Sequence, residues 1–116
     1  MKARYPLLDL LCVLLFVGIG RSAHQHGLSL SGIASTAWPF ATGLAIGWLG
    51  VRSTGHSGER LLSGLFIVVV TVAAGMILRV VSGQGTAAAF IAVAVAFLSL
   101  FLVGWRFVLR MLRRSR

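Results

Sequence analysis

Acidic residues are nearly missing from this chain: Asp9 and Glu59 are the only two among 116. An enzyme needs a nucleophile, an acid–base pair or a metal, and Glu59 stands beside Arg60 in a short loop, where a surface ion pair is the simpler role. A non-catalytic protein without a cofactor is expected. Cysteine is as scarce. Cys12 is alone, which excludes an internal disulfide, and in its apolar stretch it reads as a small apolar filler. Charged residues make up 11% of the chain, against about 25% in soluble domains. With 58% hydrophobic residues and a mean hydropathy of +0.95, that shortage excludes both a soluble globular domain and a disordered tail.

What the chain has in quantity is apolar runs and positive charge. Crossing roughly 30 Å of hydrocarbon takes about 20 apolar residues. Four stretches approach that length, at about 5–20, 33–51, 61–82 and 86–109, and predict an all-α, integral membrane four-helix bundle spanning 1–116 as one transmembrane domain. The first stretch is short and follows Lys2 and Arg4, as in a signal peptide. However, Asp9 interrupts its apolar region and Arg21 stands where a cleavage site wants a small residue, so a retained helix is expected.

Eleven Lys and Arg give a formal charge of +9. Lys2, Arg4, Arg52, Arg60, Arg106, Arg110, Arg113, Arg114 and Arg116 fall on one side of the four spans, and only Arg21 and Arg79 on the other. The positive-inside rule then puts both termini in the cytoplasm. Contact of the Arg-rich tail with anionic lipid headgroups is expected there, and nucleic-acid binding is not.

The second and fourth stretches share features. Thr36-Ala37-Trp38-Pro39-Phe40 opens one and Thr86-Ala87-Ala88-Ala89-Phe90 the other, while Gly47-Trp48 and Gly104-Trp105 stand near their inner ends. Two readings remain open: duplication of a helical hairpin, or convergence, because Trp belongs at interfaces in any bundle. Small residues mark expected packing faces: Gly43 and Gly47 on the second helix, Gly64, Thr71 and Gly75 on the third, and Ala88, Ala92 and Ala96 on the fourth.

Polar residues at membrane depth are costly and face a bundle interior or a watery cavity. Asp9 lies about one turn into the first helix, and Arg106 near the inner end of the fourth, on the face of Ser99 and Ala92. The two are expected to pair, as a structural ion pair or as a gating element. On the outer side, Arg21 ends the first helix and Arg79 precedes the turn Ser82-Gly83-Gln84-Gly85-Thr86. A helix N-terminus favours anions, and no carboxylate occurs in any outward segment. An anion-binding pocket built from Arg21, Arg79, Ser82, Gln84 and Thr86 is one reading; Arg79 snorkelling to lipid phosphate above a plain turn is the other. His24-Gln25-His26 has ligand spacing but no accompanying carboxylate or Cys, so no metal site is expected. The Gly-rich turn lacks the Gly-Lys-Ser/Thr ending of a P-loop.

Asp9-Leu10-Leu11-Cys12-Val13, Gly20-Arg21, Thr36 to Phe40 with Gly43 and Gly47-Trp48, Arg79 to Ala87, and Gly104-Trp105-Arg106 together resemble the small prokaryotic membrane proteins grouped as domain of unknown function 3054. The resemblance implies a four-helix integral membrane protein of the prokaryotic cytoplasmic membrane and carries no activity with it. Small multidrug exporters are of similar size, but they use a carboxylate near mid-helix, whereas Asp9 stands at the edge and the excess charge is positive; cation efflux is disfavoured. Two functions remain: a small transporter or channel, as a homo-oligomer, for an anionic or polar solute; or a non-catalytic subunit or scaffold of a membrane complex.

Overall fold

The computed structural model describes residues 3–23 and 29–114. His24, Gln25 and His26, considered above as ligands, lie outside these, as do Lys2 and Arg116. The described chain is helical: α1 (Arg4–Ala23), α2 (Leu30–Ser53), α3 (Leu61–Val81), α4 (Ala88–Leu98), a π-helical turn (Ser99–Val103) and α5 (Gly104–Arg114). The last three form one continuous helix, Ala88–Arg114, of 27 residues. The four resulting helices alternate in direction within a bundle of 45 × 27 × 25 Å.

α1, α3 and Ala88–Arg114 are each long and apolar enough to cross a membrane. α2, expected as a span at about 33–51, is not among these three. Its 24 residues reach about 36 Å, but Ser31, Ser35, Thr36, Thr42 and four glycines dilute its apolar content. Its position explains the composition. α2 packs most extensively against α3 and next against α1, and small residues let backbones approach. A methyl group at Gly43 would stand 2.8 Å from the Thr71 carbonyl oxygen, and one at Gly47 3.3 Å from Ile67 Cα. Thr71 and Gly75 are buried on the facing side of α3, and Gly64, also buried, meets Arg106 of the last helix.

α2 also begins earlier than expected. The Ser29 hydroxyl caps it by accepting from the Gly32 N–H at 3.1 Å, so Thr36 to Phe40 lie within the helix and do not open it. Pro39 is consequently interior. Proline has no N–H and leaves the carbonyl four residues earlier without its helical donor. That carbonyl, on Ser35, accepts from Gln84 Nε2 at 3.3 Å, so the loop after α3 supplies what the proline removes.

The π turn corrects a second expectation. Arg106 shares its buried face with Leu102, Leu98 and Ala94, not with Ser99 and Ala92. In an unbroken α-helix each four-residue step overshoots one turn by about 40°, so this stripe would drift off the core. The wider turn takes up the overshoot. Ala88, Ala92 and Ala96 therefore lie exposed and do not pack in the interior.

Candidate functional site

Two polar clusters sit at opposite ends of the bundle. At the end holding the first and last helical turns, the fully buried Asp9 carboxylate accepts four hydrogen bonds. Arg106 donates Nη1 to Oδ1 at 2.9 Å and Nη2 to Oδ2 at 2.6 Å. Trp105 Nε1 donates to Oδ1 at 2.8 Å, and Trp48 Nε1 to Oδ2 at 2.9 Å. Arg106 is equally engaged, with Nε on the Gly58 carbonyl at 2.9 Å and Nη1 also on the Leu102 carbonyl, inside the π turn, at 2.8 Å. Its guanidinium lies 4.3 Å from the Trp105 ring centroid. Four hydrogen bonds to the carboxylate and four from the guanidinium satisfy nearly all of this buried ion pair, which is the condition under which such a pair is tolerated in a low-dielectric interior.

The surroundings are shaped to this pair. A methyl group on Gly64 would approach Arg106 Cδ to 2.6 Å, and one on Gly58 would run into the Trp48 ring. Tyr5 stacks on Trp105 at 5.4 Å, and its hydroxyl accepts from Arg113 Nη2 at 3.0 Å. Arg113 also meets Glu59 at 3.5 Å. Glu59 lies in the loop before α3, where a hydrogen bond from Ser57 first, and Arg113 to a lesser degree, hold its carboxyl below the usual range. Trp48 and Trp105 were legible in the sequence as two Gly-Trp dipeptides; their convergence on one carboxylate was not.

At the other end, residues of α1 and α4 line a cleft of about 550 Å³. Arg21, Arg79 and Gln84 line it, joined by Thr36. Arg21 Nη1 donates to Thr36 Oγ1 at 2.9 Å. Arg79 donates Nε to the Gly85 carbonyl at 2.8 Å and Nη1 to Gln84 Oε1 at 3.0 Å, with its guanidinium 4.4 Å from the Phe90 ring centroid. These contacts hold the Arg79 cation at the cleft instead of letting it extend freely. Ser82 and Thr86 do not line the cleft. The Ser82 hydroxyl turns back, donating to the Arg79 carbonyl and accepting from Gln84 Nε2. The turn needs Gly83, whose φ of 82° is left-handed. Below the polar rim the walls are Phe16 and Val17 from α1 and Phe90 and Val93 from α4. α4 begins at this rim with Ala87 as its cap residue and no side-chain cap, so its first-turn N–H groups carry a partial positive charge toward the opening.

Fold and clusters together define a small helical protein of membrane-spanning composition. The family model described as "Protein of unknown function (DUF3054)" matches residues 7–109, and the chain belongs to that family. No curated protein and no solved structure matches the chain.

Proposed function

We propose that this protein is a small, non-catalytic transporter or channel of a prokaryotic cytoplasmic membrane, handling an anionic or polar solute through the Arg21–Arg79 cleft. The observation that carries this reading is the coincidence of one cavity with the two arginines that break the positive-inside pattern. Both acidic side chains of the chain are engaged at the opposite end, and the start of α4 adds its partial positive charge. Bonds to Gln84 and Gly85 orient Arg79 in advance, which lowers the ordering cost of binding. The sealed Asp9–Arg106 network closes the far end, so passage requires either movement there or a path between protomers of a homo-oligomer. In this reading the basic end rests on anionic headgroups at the cytoplasmic face.

Proteoliposomes loaded with a panel of small anions test the reading. Flux of at least one anion is expected, reduced about tenfold by Arg79→Gln, the scale of one lost charge-assisted hydrogen bond. A panel with no flux, or an Arg79→Gln variant that transports normally, defeats it. The second reading, a subunit of a larger membrane complex, draws support from the exposed Ala88, Ala92 and Ala96 on α4, a surface that admits close approach of another helix.

A further inference from the structure

We infer that the occupant of the Arg21–Arg79 cleft is a net-anionic phospholipid that enters sideways between α1 and α4. This rests on the anion-handling reading above and gives it a ligand class. A soluble oxyanion needs polar partners on several sides to replace its hydration. The cleft offers them only at its rim, where Arg21, Arg79 and Gln84 stand, and continues below as a slot of Phe16, Val17 and Val93. From Ala87 to Val93 the slot descends roughly 9 Å along α4, into a helix long and apolar enough to cross a membrane.

The opening is lateral. Val93 lines the slot and is 56% exposed, so the slot at this depth is open to whatever surrounds the bundle. For a membrane-spanning helix that surrounding is acyl chain. A cationic rim above an apolar slot open to acyl chain matches one molecule on both counts: a lipid with its phosphate on the guanidinium groups and the upper part of a chain along Phe16 and Val93. The cleft volume, about 550 Å³, is in the range of roughly 300–1,000 Å³ that takes ligands of tens of atoms, and exceeds what a bare oxyanion fills.

The test uses the full chain in an uncharged detergent, with thermal unfolding and native mass spectrometry read against three probes: dihexanoyl phosphatidic acid, dihexanoyl phosphatidylcholine and inorganic phosphate. Phosphatidic acid is expected to raise the midpoint by several degrees and to be retained one per chain, with the other two at least tenfold weaker. Arg79→Gln should weaken phosphatidic acid about tenfold. Val93→Trp, at an exposed position that folding tolerates, should weaken it by a similar factor through the slot alone. Arg110→Gln with Arg114→Gln, at the opposite end, should leave it in place. Inorganic phosphate binding as tightly as the lipid, with Val93→Trp silent, overturns the lipid inference and leaves the anion reading standing. No response to any probe defeats both. Loss of binding on changing Arg110 and Arg114, with Arg79→Gln silent, assigns the lipid to the other end and overturns the inference.

Discussion

Asp9 is the residue on which the interior depends most. Its carboxylate is the counter-charge to the buried Arg106 and the shared acceptor for two indole N–H groups on different helices. Removing one member of a buried pair strands the other charge, at a cost of about 3–5 kcal/mol. Asp9→Asn is therefore expected to lower the unfolding midpoint strongly, while Asp9→Leu combined with Arg106→Met recovers part of the loss, the two indole N–H groups still lacking their acceptor. Thermal unfolding of the two variants beside the parent chain is the measurement. Equal losses in the single and double variants would show that the pair contributes no charge complementarity. Retention of ligand binding by a stable double variant would separate a structural role from a gating one. Arg79 illustrates the opposite arrangement: two of its nitrogens are occupied and its charge is left for the cleft.

At the scale of elements, the closest seam runs between α2 and α3, and glycine position decides what each site tolerates. A methyl group at Gly43 would meet the backbone of Thr71, which cannot rotate away, whereas at Gly18 in α1 it would meet nothing within 4 Å. Gly43→Ala is expected to cost about 1–3 kcal/mol by overpacking. Gly18→Ala should be neutral or stabilising by up to about 1 kcal/mol, from helix propensity. Chemical or thermal denaturation in detergent checks the contrast, and similar costs at both positions would contradict the seam. The long last helix shows a different economy of design. Its π turn lets Ala94, Leu98, Leu102 and Arg106 hold one face despite their four-residue spacing. The same turn leaves Ala88, Ala92 and Ala96 outside, the reverse of what the Ala spacing alone suggests.

For the whole molecule, the contact of Tyr5 with Arg113 brings the first and last helices to one end of the bundle. With the basic residues concentrated there, both termini are expected in the cytoplasm. Fusions of alkaline phosphatase, active only outside, and of a cytoplasm-competent fluorescent protein to each terminus test this: fluorescence and no phosphatase activity at both ends is the expected result. Phosphatase activity at both ends would reverse the orientation, and with it the side on which the cleft opens; activity at one end alone would contradict a shared side for the termini.

Helix number, helical class and the expected membrane solvent were legible in composition and run length, because the transfer of apolar side chains out of water is nearly additive along a chain. The distribution of Lys and Arg likewise singled out Arg21 and Arg79 before any contact was known. Asp9 and Arg106 could be matched by depth alone, since both are charged and both stand near one end. The tertiary structure decided the rest. Which face of the last helix is buried depends on a π turn that simple periodicity does not reveal. The role of Pro39 depends on a glutamine 45 residues later, at Gln84. The joining of Trp48 and Trp105 on one carboxylate depends on three helices arriving together. Directional hydrogen bonds and close packing are set by relative position in space, and local sequence carries position only along the chain.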